Sequence, residues 1–173
     1  YGDVFYLEDW MIAGDIGAMN PWFTTRLFET VSDFRQIGGW NRRTVARSHE
    51  TTYRFLKTLT QHPRNKTVVM THYLPSPRAL PVELRADPIA RDRLCSRYDE
   101  ILDTIRPEYW VAGHFHRPLD VMLGRTRVLT NPVGYPGERI HAPKIIDLET
   151  DKSGCLKREL TGDSESGILT AWS

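Results

Sequence analysis

The chain has 173 residues, 40% hydrophobic and 26% charged, which is typical of one ordinary globular domain. Its formal net charge of +1 argues against a global field that would attract nucleic acid or an anionic membrane, and its apolar runs are too short to span a bilayer. Two isolated cysteines, Cys95 and Cys155, fit a reducing compartment better than a secreted scaffold, so we predict a cytoplasmic protein.

The first part of the chain predicts two short strands, a loop and one long helix. The strands run from Val4 to Leu7 and from Trp10 to Ala13, separated by an acidic turn. The aromatic segment from Pro21 to Gly39 predicts a loop with a short helical turn. Apolar residues at three- and four-residue spacing then predict a helix over residues 42–61, with Thr44 as its N-cap.

The middle of the chain predicts two buried strands with a helix between them. The β-branched run from Thr67 to Thr71 predicts a strand that ends at a Pro-rich loop, where α/β proteins commonly keep functional groups. Prolines predict an irregular excursion from Ala79 to Pro88. One helix is predicted from Ile89 to Ile105, and the run YWVAG predicts the next buried strand.

The last third predicts another strand and a closing hairpin. The strand lies in RTRVLTNPVGYPGE and ends at a Gly- and Pro-rich loop. Residues 144–148 and 155–160 predict a hairpin, and residues 162–173 predict a flexible tail. The alternation of strands and helices predicts an α/β fold in one domain, residues 1–173.

Three histidines follow the two central strands. His72 follows the first strand, and His114 and His116 follow the second. Because the ends of neighbouring parallel strands meet at one sheet edge, we expect the three imidazoles to converge on a shared point. Imidazole binds manganese, iron, zinc, cobalt and nickel, and Gly113 gives the backbone freedom to turn both rings toward an ion. The trio therefore predicts a metal site.

The alternative for any single histidine is a structural side chain that is satisfied by hydrogen bonds at a strand end. We assign this alternative to the other three histidines. His49 lies on a helix face, His62 in a turn at the helix end, and His141 after a Gly- and Pro-rich loop.

Two segments resemble the last two sequence blocks of the calcineurin-like metallophosphoesterases. VVMTHYLPS is a strand ending in a single His, and WVAGHFH ends in Gly-His-x-His. PWFTTRLFE, VSDFRQI and TNPVGYPGE resemble a bacterial branch of that superfamily, so the likeness covers roughly residues 4–150. The resemblance implies a four-layer β-sandwich flanked by helices, two divalent metal ions, and hydrolysis of phosphate mono- or diesters by metal-activated hydroxide. It also implies that His72 and His114 bind one ion and His116 the other.

Three blocks that supply the remaining ligands in that superfamily do not occur in the sequence: Asp-x-His, Gly-Asp in its expected place, and Gly-Asn-His-Asp/Glu. Asp15 and Asn41 imitate two of them, but we interpret both as lying where the family has no ligand. The catalytic residues stay unknown, since the family's general-acid histidine belongs to the third block. Because neutral histidines cannot offset the repulsion between two cations, we expect one ion or none in this chain alone.

The sequence begins at Tyr1, just past the position of the missing blocks, so we expect a fragment or a truncated form. The chain could then pair with the missing N-terminal portion of the same domain. We also expect the chain alone to be weakly active or inactive.

Five further residues are candidates near the predicted site. Arg78 and Arg117 could bind phosphate, because a guanidinium group matches two oxygens at once. Their alternative is a solvated surface role. Asn131 and Tyr135 shape the substrate site in the branch resembled, although both also suit a turn. Asp120 could orient a ligand imidazole through its other nitrogen.

Three functions stay open on the sequence alone. The first is a phosphoesterase acting on a phosphorylated substrate of unknown identity. The second is a non-catalytic remnant that serves as a binding or regulatory module, and the third is a mononuclear metal protein using the three histidines. A membrane or nucleic-acid partner is not expected.

Overall fold

The computed structural model describes residues 3–7, 10–14, 38–59, 66–138, 141–148 and 168–170. Several predictions lie outside these ranges, namely those for Asp15, His62, Cys155, most of residues 21–39 and residues 155–160.

A mixed six-stranded sheet forms the centre of the α/β fold, in the order β1-β2-β3-β4-β6-β5. The strands are β1 (Asp3–Leu7), β2 (Trp10–Gly14), β3 (Lys66–Thr71), β4 (Tyr109–Ala112), β5 (Leu119–Leu123) and β6 (Thr126–Thr130). The four central strands are parallel, and β1 and β5 run antiparallel at the two edges. The strands predicted for β1, β2 and β3 are thus confirmed to within one residue at each end.

Both faces of the central strands are buried, as apolar parallel strands require. On β4, Trp110 faces the larger core with Leu56 and Ile101, whereas Val111 faces a second core with Val68. The buried Trp110 indole also donates a hydrogen bond to Thr71 Oγ1 at 2.8 Å, which ties β4 to the end of β3. This packing fixes the ends of the two strands next to each other.

The helix α1 (Arg42–Thr58) packs on the larger core, and its N-cap differs from the prediction. Asn41 is the N-cap, and its Oδ1 accepts hydrogen bonds from the backbone of Arg43 and Thr44. Thr44 closes a capping box by accepting from the Asn41 N–H at 2.7 Å. The prediction of Thr44 as N-cap was therefore wrong by one helical turn, because asparagine fills that position well.

The segment between β3 and β4 contains more short helices than predicted. A 3-10 turn (Pro77–Ala79) leads into the irregular excursion predicted from Ala79 to Pro88, and the helix α2 (Val82–Arg85) lies within it. The predicted single helix over 89–105 is two helices, α3 (Pro88–Leu94) and α4 (Asp99–Ile105).

A backbone pairing explains the break between α3 and α4. Cys95 is extended and forms a parallel bridge with Leu74, whose N–H donates to the Leu94 carbonyl and whose carbonyl accepts from the Ser96 N–H. Arg97 then takes a φ of 59°, which ends any helical continuation. The spacing of apolar residues over 89–105 suits one continuous helix, but the backbone pairing of Leu74 with Cys95 interrupts it.

Two features of the last third were not predicted. The strand β5 forms a tight hairpin with β6, in which Gly124 adopts a φ of 62°. The strand β7 (Ile145–Asp147) pairs antiparallel with β8 (Ile168–Thr170), so part of the predicted flexible tail is a strand. Within the ranges that the structure describes, no helix is both long and apolar enough to cross a bilayer.

Candidate functional site

The histidine site is built by the ends of two adjacent parallel strands. β3 and β4 pair in parallel up to Thr71 and Ala112, and His72 and Gly113 follow directly. The His72 carbonyl accepts hydrogen bonds from the backbone N–H groups of Gly113 and His114, at 3.0 Å and 2.7 Å. The pairing therefore continues past the strands and holds the two histidine side chains together.

The imidazoles of His72 and His114 are in direct contact. Nε2 of His72 lies 3.1 Å from Nδ1 of His114, and the ring centroids are 4.8 Å apart. Two nitrogens bound to one ion at the usual distance of about 2.1 Å would lie about 3.0 Å apart at an octahedral angle near 90° and about 3.4 Å apart at the tetrahedral angle. The separation thus suits either a hydrogen bond or a shared ion.

The surroundings of His114 keep its imidazole neutral. Burial is the main cause that lowers its pKa to about 3, and electrostatic interactions with His72, Arg93 and His116 act in the same direction. A hydrogen bond with the Arg93 backbone carbonyl opposes the shift. Tyr73 covers the ring at a centroid distance of 4.3 Å. The neutral form that results is the one with a lone pair for a metal ion.

His116 lies beside this pair but has a different partner. Its ring centroid is 6.4 Å from that of His114, and its Nδ1 donates to Glu138 Oε2 at 2.9 Å. The Tyr135 ring packs edge-on against it at 4.6 Å. Among the residues that the structure describes, no three His, Cys, Asp or Glu side chains are grouped so as to hold an ion. The structure therefore joins His72 and His114, and metal binding by the trio stays a prediction.

Glu138 is a site residue that the sequence analysis missed. It ends the loop Gly-Tyr-Pro-Gly-Glu, and its Oε2 accepts a second hydrogen bond from the Tyr135 N–H at 3.0 Å. The one signal in the sequence was an acidic residue directly after this turn-forming loop. Asn131 supports the same region by donating from Nδ2 to the Ala142 carbonyl at 3.0 Å.

The predicted phosphate-binding arginines differ in how far their donors are engaged. Arg78 pairs with Asp99 and Asp103, both at 2.9 Å, so its guanidinium already binds two carboxylates of α4. Arg117 is 65% exposed and lies 3.9 Å from Glu83. Arg93, which the sequence analysis did not single out, is exposed and acts electrostatically on His114.

Among the described residues, Asp120 has hydrogen bonds with an arginine and a lysine and with no histidine ring. Its carboxylate binds Arg127 at 2.8 Å and 3.0 Å and also accepts from Lys144. Burial alone would raise the pKa of Asp120, but these hydrogen bonds outweigh it and lower the pKa. This corrects the prediction that Asp120 orients a ligand imidazole, since Glu138 occupies that place at His116.

His49 has the structural role that the sequence predicted. Its Nε2 lies 2.6 Å from the Ser96 carbonyl, and its ring packs on Tyr98 at 4.6 Å. It therefore links α1 to the segment between α3 and α4. His141 is half-buried, and no contact joins it to the histidine pair.

No family model and no curated protein matches this chain. Among solved structures, it is similar to GAP50, the anchor in the inner membrane complex of Plasmodium, with 11% sequence identity and a TM-score of 0.35. The match covers 75% of this chain and 35% of that chain, so the present sequence spans well under half of that protein. At this level, the likeness identifies neither a family nor a function.

Proposed function

We propose that this chain carries the histidine side of a metal-dependent phosphoesterase site, of the calcineurin-like class that its sequence resembles. The proposed fold is part of that class's four-layer β-sandwich. The observation that carries the proposal is the 3.1 Å approach of His72 Nε2 and His114 Nδ1 at the ends of two adjacent parallel strands. Its proposed reaction is hydrolysis of a phosphate mono- or diester in the cytoplasm.

The donor set fits a borderline divalent ion such as manganese, iron, zinc, cobalt or nickel. Two imidazole nitrogens are already at the separation of neighbouring ligands, and the Arg93 carbonyl interacts with the ring of His114. A carbonyl partner of this kind usually fixes the orientation of a metal-binding histidine. When bound, such an ion supplies Lewis acidity toward a phosphoryl oxygen and lowers the pKa of water.

The surrounding residues suit recognition of an anionic substrate. Arg117 is exposed and only distantly paired, so its guanidinium is available to two phosphate oxygens. Tyr135 is 66% exposed and lies against His116, where it could pack on the group attached to the phosphate. Asn131 would act indirectly by holding the loop through Ala142. Arg78 is the weakest candidate, because two carboxylates already engage it.

The site proposed here is incomplete as a two-metal centre. The sequence does not contain the Asp-x-His and Gly-Asn-His-Asp/Glu blocks that complete the family's centre. We therefore propose that this chain alone binds one ion or none and turns over substrate weakly or not at all.

Calorimetric titration with zinc and manganese tests the proposal. We expect at most one ion per chain, and a 10- to 100-fold or greater loss of affinity in His72→Ala and in His114→Ala. His141→Ala is the matched control, since it removes a half-buried histidine with no contact to the pair. Unchanged affinity in both site variants would refute the proposal.

Turnover of p-nitrophenyl phosphate with added manganese tests the proposal that this chain alone is weakly active or inactive. We expect negligible turnover by the chain alone. Robust turnover that depends on His114 would show that this chain completes the site with residues other than the family's.

A mononuclear metal protein is the second candidate. The observation that favours it is that His72 and His114 are in direct contact at 3.1 Å, a geometry suited to one shared ion, with His116 nearby at a centroid distance of 6.4 Å from His114. Metal binding without turnover, even when a complementary segment carrying the missing blocks is added, would support this candidate. A complete lack of metal binding, even with that complementary segment added, would instead favour the non-catalytic binding module.

A further inference from the structure

The carboxylate of Glu138 bridges two hydrogen-bond donors next to the histidine pair. Its Oε2 lies 2.9 Å from His116 Nδ1 and 3.0 Å from the Tyr135 N–H. The Glu138 N–H in turn donates to the Tyr135 carbonyl at 2.9 Å. The main chain and the side chain of Glu138 thus both close the same short loop, so hydrogen bonds hold the carboxylate in place although the side chain is 42% exposed.

The backbone of the loop leaves room for this carboxylate. Gly134 has a φ of +78°, and a Cβ added there would lie 2.3 Å from Glu138 Oε2. No side chain other than hydrogen fits between the loop and the carboxylate in this arrangement. The glycine, the tight turn and the acidic residue therefore work together to place one oxygen against His116.

The contact determines which nitrogen of His116 carries the proton. An ionised carboxylate can only accept a hydrogen bond, so Nδ1 of His116 must be the donor. In the neutral ring, the lone pair is then on Nε2. The edge-on Tyr135 ring at 4.6 Å packs against the same imidazole and restricts its rotation.

We propose that Glu138 is the positioning residue of the site. It holds the Nδ1 proton of His116 and leaves the Nε2 lone pair available for a divalent cation beside His72 and His114. The use of that lone pair for a cation rests on the proposed function, whereas the assignment of the proton to Nδ1 does not. Carboxylate partners of ligand histidines typically contribute 10- to 100-fold in metal affinity.

Nitrogen NMR of histidine-labelled protein tests the assignment without any metal. At pH 8, the long-range proton–nitrogen pattern of His116, assigned by its loss in His116→Gln, should show protonated Nδ1 in the unaltered chain. Glu138→Ala should move the proton largely to Nε2, and Glu138→Met, which keeps the side-chain length, should do the same if the alanine variant does not fold. Glu50→Gln is the control, because that exposed carboxylate pairs with Arg54 on α1.

A zinc titration of the same variants separates this inference from the proposed function. We expect both Glu138 variants to lose 10- to 100-fold in affinity and Glu50→Gln to stay within about twofold of the unaltered chain. A His116 proton that stays on the same nitrogen in every variant would overturn the positioning role, and so would measurable zinc binding whose affinity is equal with and without Glu138. A proton that moves in a chain that never binds zinc would support the positioning role and refute the metal site.

Discussion

The substitution Gly134→Ala tests whether the loop geometry controls the histidine site. Gly134 needs its missing side chain for two reasons: its φ is +78°, and an added Cβ would lie 2.3 Å from Glu138 Oε2. Gly124 provides a matched control, since its φ is +62° but no atom of the described residues lies within 4 Å of the added Cβ. Both glycines have a positive φ, and the two variants differ in the collision.

The expected magnitudes follow from this difference. A left-handed alanine costs about 1–2 kcal/mol, and the stiffer unfolded chain returns about 0.4–1 kcal/mol, so Gly124→Ala should destabilise by about 1 kcal/mol. At Gly134 the carboxylate must also move away from His116 and Tyr135. Each lost hydrogen bond lowers the stability by about 0.5–1.5 kcal/mol. Hydrogen bonds to water offset part of this loss, because the Glu138 side chain is 42% exposed. We therefore expect Gly134→Ala to lower the free energy of unfolding by about 2–3 kcal/mol.

Urea unfolding followed by circular dichroism measures both free energies, and histidine NMR reports on the site. Gly134→Ala should lose the Nδ1 proton signature of His116, whereas Gly124→Ala should keep it. Equal destabilisation by the two substitutions, together with an unchanged proton position on His116, would refute the expected clash between the added Cβ and Glu138.

Three further predictions concern the helices and the buried groups around the sheet. Burial lowers the pKa of His49 from 6.5 despite its hydrogen bond with a backbone carbonyl, so the unfolded chain binds more protons below that pH. The unfolding free energy should therefore fall as the pH drops below 6.5, and more steeply than in His49→Phe, as pH-dependent urea titrations can measure. Burial raises the pKa of Cys95 to about 12, so a thiol reagent should not label the native Cys155→Ser chain; rapid labelling would contradict the buried site. Asn41→Ala should cost about 1 kcal/mol in thermal unfolding, and a double variant with Thr44→Ala should cost less than the sum, because both residues belong to one capping box.

Apolar runs predicted the central strands because burial on both faces leaves a strong signal in the sequence. The same reasoning failed between α3 and α4, where the apolar period continues through Cys95 but the backbone pairs with Leu74 instead. Such a pairing joins residues that are distant in sequence, and a local period carries no information about it. The hairpin of β5 and β6 was missed although Gly124 marks its turn.

The candidate site was predictable to the extent that strand ends determine it. His72 and His114 meet because they follow paired parallel strands. Asp120 was misassigned because its distance along the sequence from His116 says nothing about the direction of its side chain. On β5 it lies diagonal to Arg127, since Leu129 is its direct partner, and the carboxylate pairs across the hairpin.

The charges at the site limit what this chain can bind without additional ligands. Unit charges 4 Å apart repel by about 4 kcal/mol at an effective dielectric constant of 20, so two divalent ions at that distance repel by roughly 16 kcal/mol. Within the described residues, the imidazole pair offers neutral nitrogens, and the nearby carboxylate of Glu138 is already engaged by His116 and Tyr135. A second ion would therefore require acidic oxygen ligands from elsewhere. Zinc stoichiometry should rise from one to two per chain only when a complement that carries such carboxylates is supplied, and a second tight ion in the chain alone would contradict this electrostatic argument.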